Sequence, residues 1–261
     1  MPILKNKVEI ATLNDWKELA GPKAKYQWAD DRSAKEVARA WIEGGGTHLP
    51  REVANVLSSH LDFGEVESWI AEPEAKLKFD NFRGETRNTD LAVYAKDQFG
   101  DYVLAIEAKA DEPFSDLVAT TLADALERKL KSQRSNGLFR AEQLAAAILG
   151  PRQPAEPNVG ELRYQLLTAC AGVLCEAERK CCSRAVMLVQ EFFTNRTDDK
   201  KHQQNEYDLE RFMRRLAHDQ NFSLKSNNIY GPFIVPGEPL IKTAIKLYVG
   251  KVSRSIRGNM A

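Results

Sequence analysis

No stretch of this sequence approaches the ~20 uninterrupted apolar residues that a membrane-spanning helix needs, so no membrane span is expected. The opening run, MPILKNKVEIATLNDW, lacks a long apolar segment after its first charges, so no secretory signal is expected either. There is no excess of charge of either sign: 37 lysines and arginines balance 37 aspartates and glutamates. A whole-surface electrostatic grip on nucleic acid is therefore not implied, and any DNA or RNA site must be a local patch. Cysteine is scarce. Cys170, Cys175, Cys181 and Cys182 crowd one short region rather than spreading as a disulfide framework. On a helix, Cys170 and Cys175 would lie about 140° apart, and the adjacent Cys181 and Cys182 would diverge, so the paired spacing of a structural zinc site is missing. These thiols read as core or incidental residues of a cytoplasmic protein. The histidines, His48, His60, His202 and His218, are scattered. No His-Glu-x-x-His run, serine–histidine grouping or lysine-bearing phosphate loop occurs, and Gly44 to Gly46 precede Thr-His-Leu-Pro, which reads as a linker.

What is present is enough for a full core: 261 residues, 43% of them hydrophobic. Residues 13–20 and 33–43 read as helices, the second with Ser33 as N-cap and Glu36 as its capping-box partner. Another helix follows Pro50, and 64–72 reads as a short helix ending near Pro73. Then the pattern changes. KLKFDNF (76–82) and NTDLAVYAK (88–96) alternate and DYVLAIEAK (101–109) opens apolar, giving three expected strands, the last two joined as an antiparallel hairpin through Asp97 and Gly100. A helix is expected over 115–133, capped by Ser115 or Asp116, then a proline-rich loop over 150–160. An amphipathic helix over 161–180 follows, then a buried strand over 184–192, a helix over 206–220, and a tail with one or two short strands. This order predicts an α/β (α+β) fold with a central mixed sheet flanked by helices. One domain over 1–261 is expected, with an N-terminal extension (1–33), a core (34–192) and a C-terminal helix and tail (193–261).

The informative stretch is VLAIEAK. On a strand, Glu107 and Lys109 share one face with Val103 and Ala105. Asp90 stands just before the apolar LAVY, and hairpin pairing through Gly100 brings it roughly opposite Glu107. Two carboxylates ~4 Å apart at an effective dielectric near 20 repel by on the order of 4 kcal/mol, which a divalent cation cancels. Mg²⁺ (or Mn²⁺) suits one or two carboxylates plus waters, and a bound water can serve as nucleophile. Lys109 could orient that water or offset charge building on a phosphate. The combination is a layout for phosphodiester hydrolysis.

Asp90 followed after a hairpin by Glu107-Ala108-Lys109 resembles the PD-(D/E)XK nuclease superfamily, which includes restriction endonucleases and many repair enzymes. The resemblance covers about residues 34–192 and implies a restriction-endonuclease-like αβββαβ core. TRNTDLAVYAK, LAIEAKADEPF, LRYQLLTACAGVLCEAER and AVMLVQEFF together resemble, more narrowly, a bacterial domain family described as nuclease-like. Asp90, Glu107, Lys109, Arg163, Tyr164 and Gln165 match its pattern; Thr89 stands where many nucleases have proline, and Asn88 where the narrower family often has glutamine. The resemblance implies Asp90 and Glu107 as metal ligands and catalytic residues, Lys109 and Gln165 as catalytic, and Arg163 as phosphate-binding. It also implies an acid on the first core helix supporting the metal: Glu36 first, Glu52 and Glu74 behind it. The implied partner is nucleic acid, DNA before RNA, and many such nucleases act as homodimers. Basic runs at 127–140 (ERKLKSQRSNGLFR) and 251–258 (KVSRSIRG) are candidate nucleic-acid-facing stripes. The alternative is a non-catalytic binding module, for protein or nucleic acid, that retains the core.

Overall fold

The computed structural model describes residues 1–44, 46–82, 88–132 and 135–256. Gly45 of the glycine run, Arg87 of TRNTDLAVYAK, Arg134 of the first basic run and Arg257 of the second lie outside the described residues. Along the chain the elements are β1 (Leu4–Lys5), β2 (Val8–Glu9), α1 (Leu13–Ala20), α2 (Ser33–Ile42), α3 (Arg51–Ser58), β3 (Ser68–Lys76), β4 (Asn88–Asp97), β5 (Gly100–Lys109), α4 (Val118–Ser132), α5 (Gly137–Leu149), α6 (Tyr164–Arg179), β6 (Arg184–Phe193), α7 (Asp199–Leu216), β7 (Asn228–Phe233) and β8 (Lys246–Ser255). Among the described residues no helix is long and apolar enough to cross a membrane.

The centre is a six-stranded mixed sheet in the order β3-β4-β5-β6-β8-β7. Strands β3, β4 and β5 run antiparallel, β5, β6 and β8 run parallel, and β7 closes the edge antiparallel to β8. This is the expected mixed sheet flanked by helices. Alternate residues of each strand feed different cores, because strand side chains alternate in direction. One face carries Ala92, Val103, Ala105, Met187, Val189 and Val249 under α5, α6 and α7. The other carries Leu91, Val93, Leu104, Ile106, Leu188 and Val252 under α1, α2 and α3. The site depends on which face each polar residue takes.

Several local expectations are corrected. Residues 64–72 do not form a helix ending at Pro73; the strand β3 runs through that proline. Trp69, Ala71, Pro73 and Ala75 are buried at a period of two, which the short window before Pro73 concealed. Pro73 is tolerated because β3 lies at the sheet edge, where a missing N–H costs no ladder bond. Of the strand expected over 76–82 only Lys76 is in β3; Leu77 and Phe79 go into the core from irregular chain. Ser33 caps nothing: α2 begins there without a side-chain cap, and Glu36 reaches back to the Asp31 N–H instead. Ser115 does not cap its own helix either. Its hydroxyl accepts from the Gln165 N–H and so caps α6. Helix α5 was not anticipated, and the C-terminal tail supplies the ten-residue strand β8, next to β6.

At the end of the sheet away from Lys109, Arg184 makes two bonds to Asp97, at 2.9 and 2.7 Å, and also reaches the carbonyls of Asp62 and Gly100. This buried fork ties β6 to the β4–β5 turn and so fixes the hairpin register on which the opposite end relies.

Candidate active site

Glu107 and Lys109 end β5, and both side chains face the core under α6. They are 1% and 5% exposed, an expensive placement for two charges unless each is compensated. The β4–β5 ladder runs in register to Leu91↔Ile106, so Asp90 falls opposite Glu107 on the same face as Ala92. The hairpin geometry expected from the sequence is thus the observed one. Asp90 Oδ2 accepts from the Ala108 N–H at 2.7 Å, which anchors the carboxylate to the backbone between Glu107 and Lys109.

Glu107 is held at both oxygens. Gln165 Nε2 donates to Oε2 at 2.8 Å, and the Thr89 hydroxyl stands 3.1 Å from Oε1 and 3.0 Å from the Ile106 carbonyl. Gln165 is itself fixed: its side-chain oxygen accepts from the Ser115 N–H at 3.1 Å. The chain therefore loops from β5 through Ser115 and returns on the first turn of α6 to support the carboxylate it has just passed. Lys109 Nζ sits 5.2 Å from the Phe114 ring centroid, close enough for the aromatic face to steady the ammonium.

A third carboxylate joins from the edge strand. Pro73↔Leu91 and Ala75↔Thr89 leave Glu74 opposite Asp90. Burial lifts the proton affinity of Glu74, and the charge of Glu107 adds to it. Asp90 is lifted further, to about 8, by burial and by Glu107, with Glu74 adding and the Lys109 ammonium opposing. Asp90 therefore holds its proton more tightly than an exposed carboxylate does, chiefly because it is buried and next because Glu107 stands beside it.

The polar row continues across the sheet. Lys109 is in register with Glu191 of β6, which is fully buried. Lys251 Nζ of β8 lies 2.8 Å from Glu191 Oε2 and 3.1 Å from Glu206 Oε2. His202 of α7 approaches the other Glu191 oxygen with Nδ1, its ring stacked on Phe193 at 4.3 Å. Both His202 nitrogens lack hydrogen-bond geometry, so the Glu191 contact is close but not directional.

Other expected residues stand elsewhere. Glu36 takes two bonds from Arg39, at 2.8 and 2.6 Å, and one from Asp31 N–H. It sits on α2, whose apolar residues pack against the opposite face of the sheet. Its carboxylate is committed there, so the metal-supporting role expected of it is not met. Glu52 is on that side too, accepting from the buried amide of Gln190. Arg163 is spent on structure: Nε donates to Asp208 at 2.7 Å and Nη1 to the Ser115 carbonyl at 3.1 Å, so it clamps α7 to the 115 loop instead of presenting its charge for phosphate. Among the described residues of the second basic run, Lys251 is buried on Glu191 and Arg254 pairs with Glu43. In the first, Arg128 and Lys131 are exposed, and Lys129 lies over Phe139.

Sequence reasoning missed Thr89, Ser115 and Glu191 as parts of this cluster. Strand parity puts Thr89 on the face away from Asp90, so no pattern pointed to it. Glu191 lay in an apolar run whose only signal was its charge. Among the described residues, no three His, Cys, Asp or Glu side chains stand close enough together to enclose a metal ion. The donor set nevertheless fits a hard dication. It is all oxygen, Asp90 and Glu107 face the same way, and a divalent ion would offset the repulsion between their charges.

Fold and site together define a three-layer mixed α/β protein with a buried carboxylate–lysine cluster at one end of its sheet. The chain belongs to the family described as Domain of unknown function (DUF6946), whose model matches residues 9–256. No curated protein and no solved structure matches it.

Proposed function

We propose that this protein hydrolyses phosphodiester bonds in nucleic acid, DNA before RNA, using Mg²⁺ or Mn²⁺ held by Asp90 and Glu107. The observation that carries the reading is the meeting of Asp90, Glu107 and Lys109 on one face at the ends of paired strands, with Gln165 donating to Glu107. When bound, the ion would polarise a phosphoryl oxygen and acidify a water. The protein's own groups supply the rest. Gln165 and Thr89 fix both oxygens of Glu107, and the Ala108 N–H fixes one of Asp90, so the carboxylates keep one orientation. Lys109 places a positive charge where a phosphate gains negative charge, and its burial keeps that charge from being screened by water. The resemblance to the PD-(D/E)XK nucleases supports the reading and is the ground for preferring DNA.

One observation favours the rival reading, a binding module that retains the core: three of the four oxygens of Asp90 and Glu107 already have protein hydrogen-bond partners. Incubation of plasmid and single-stranded DNA with the protein and Mg²⁺ or Mn²⁺ separates the two. Cleavage by the parent and not by Lys109→Ala is expected. Absence of cleavage on both DNAs and on an RNA of mixed sequence, with metal present, overturns the enzymatic reading.

A further inference from the structure

Between α1 and α2 the chain reads Gly21-Pro22-Lys23-Ala24-Lys25-Tyr26-Gln27-Trp28, with two cations, two aromatic rings and no acid. We propose that this segment is the lip of the site that receives a single strand of nucleic acid, with Tyr26 as a stacking platform for an unpaired base and Lys23 and Lys25 as phosphate contacts. The inference rests on the nucleic-acid reading above and narrows its substrate class to unpaired strands.

Three observations support it. The first is the path of the segment. At its start the Lys23 ammonium stands close enough to Glu74 of β3 to oppose the rise in proton affinity that burial imposes there. Just past its end, Arg32 Nη1 lies 2.9 Å from Asp111 Oδ2, two residues beyond Lys109, and the Asp31 carbonyl accepts from the Thr194 hydroxyl at 3.4 Å, one residue beyond β6. Residues 23–32 therefore run along the ends of β3, β5 and β6, which is the end of the sheet that carries Asp90, Glu107 and Lys109. The second is what the segment shows to solvent. Lys25–Gln27 is a single 3₁₀ turn, Tyr26 on it is 69% exposed, and Lys23 and Lys25 are exposed as well. Trp28, half-buried, packs against the core under α1–α3 and anchors the turn. The third is that the segment is held from behind. Asp30 pairs with Lys35 at 2.8 Å and Arg39 at 2.6 Å, and the buried Glu36 holds both Arg39 and the Asp31 N–H. The acid that was expected to support a metal is spent on keeping this stretch of chain in place.

The chemistry selects the partner. Two ammonium groups and no carboxylate suit a chain of phosphates. An exposed ring on a fixed turn offers a face on which any base can stack, because every base has a π-face, and it loses little freedom in doing so. The bases of a duplex are already stacked on their neighbours and present only their edges sideways. Tyr26 therefore favours a strand whose bases are unpaired.

Fluorescence anisotropy tests the assignment by binding alone. The probes are a labelled single strand of mixed sequence, as DNA and as RNA, and the matching DNA duplex. Each is titrated in Ca²⁺, a hard dication that fills oxygen sites, and again in EDTA. The proteins are the full-length parent, Tyr26→Ala, Tyr26→Phe, Lys25→Ala and, as a control, Tyr207→Ala, whose ring is 53% exposed on α7. Tyr26→Ala is expected to weaken single-strand binding by about tenfold or more, the scale of one lost stacked base, and duplex binding by less than about twofold. Tyr26→Phe keeps the ring and should stay within about threefold of the parent. Tyr207→Ala should bind as the parent does. Lys25→Ala should flatten the dependence of log affinity on log salt by about 0.7, the share of one phosphate contact on a single strand. The Tyr26 effect on either DNA or RNA supports the assignment, and the tighter of the two identifies the strand. Unchanged single-strand binding by Tyr26→Ala, with the parent binding normally, overturns the assignment and leaves the nuclease reading standing. Equal losses on single strand and duplex overturn the restriction to unpaired strands. A parent that binds none of the three probes overturns the nucleic-acid reading and this inference with it.

Discussion

The side-chain amide of Gln165 donates to Glu107 Oε2 at 2.8 Å across 58 residues of chain, and so joins the first turn of α6 to the end of β5. Gln165→Leu removes that donor from a buried carboxylate. A loss of about 1–3 kcal/mol is expected, read as a fall of several degrees in melting temperature. Activity on DNA should fall further than stability does, because Glu107 loses its orientation. A variant that melts normally and cleaves normally would show that the contact is idle.

Asp90 gives a pH signature. Its proton is held more tightly in the fold, up to about 8, than in the unfolded chain, where the ordinary value is 3.8. Its contribution to stability is therefore complete below about pH 4 and is lost as pH rises through about 8. Asp90→Asn has no such proton to lose. The variant should gain on the parent from pH 5 to pH 9, by on the order of 1–3 kcal/mol at the upper end, in urea melts across that range. A difference that does not change with pH would sink the claim.

Lys109 is a buried positive charge beside Asp90 and Glu107, and Lys109→Met removes it without opening a large cavity. Phosphodiester cleavage should drop by about 10²–10³, the usual scale for loss of one transition-state charge partner. Lys109→Arg should not restore it, because a planar fork does not occupy the space of a compact ammonium over Phe114. Full rescue by arginine in a plasmid-cleavage assay would contradict the role assigned.

Arg163 is expected to matter for stability and not for binding. Its guanidinium bonds to Asp208 and to the Ser115 carbonyl. Arg163→Ala should cost about 1–3 kcal/mol, since the buried Asp208 loses its charged partner and keeps the Gln204 amide. The salt dependence of nucleic-acid affinity should be unchanged, whereas loss of a true phosphate contact lowers that slope by about one.

The Arg184–Asp97 fork separates scaffold from chemistry. Asp97 is held below the usual carboxylate range: burial opposes this, and Arg184 with the N–H groups of Gly64 and Phe99 outweighs burial. Its stabilisation is present above the ordinary pKa and lost as pH falls through the lowered one. Asp97→Asn should cost about 3–5 kcal/mol at neutral pH, as breaking a buried pair does, and less below pH 3. Chemical denaturation at both pH values checks it.

Much of this site was legible from strand parity alone. Val103, Ala105, Glu107 and Lys109 share a face by a period of two, and the Asp97–Gly100 turn sets the β4–β5 register, so Asp90 and Glu107 had to meet. Gln165 was indicated only by the resemblance, through the Arg-Tyr-Gln at the start of α6. Hydrophobic periodicity switching from 3.6 to 2 marked the β4–β5 hairpin, α6 and β6, but it placed the strand before the hairpin at 76–82, whereas β3 is Ser68–Lys76. Local pattern misled where a residue's neighbours in space outvoted its neighbours in sequence. Pro73 looked like a helix stop until β3 proved to be an edge strand. Ser33 and Glu36 looked like a capping box until Arg39 and the Asp31 N–H claimed the glutamate.

The sequence by itself thus determined the alternation that makes the sheet, the placing of Asp90, Glu107 and Lys109 on one of its faces, and the balance of charge that rules out a uniformly basic surface. These are local quantities, set by residue spacing and backbone geometry. Only the tertiary structure decided that Glu74 faces the site while Glu36 turns away, that Arg163 is used up on Asp208, and that Thr89 and Ser115 serve groups far along the chain. Those outcomes depend on strand order and on which side chains stand within reach of each buried charge once the layers are packed.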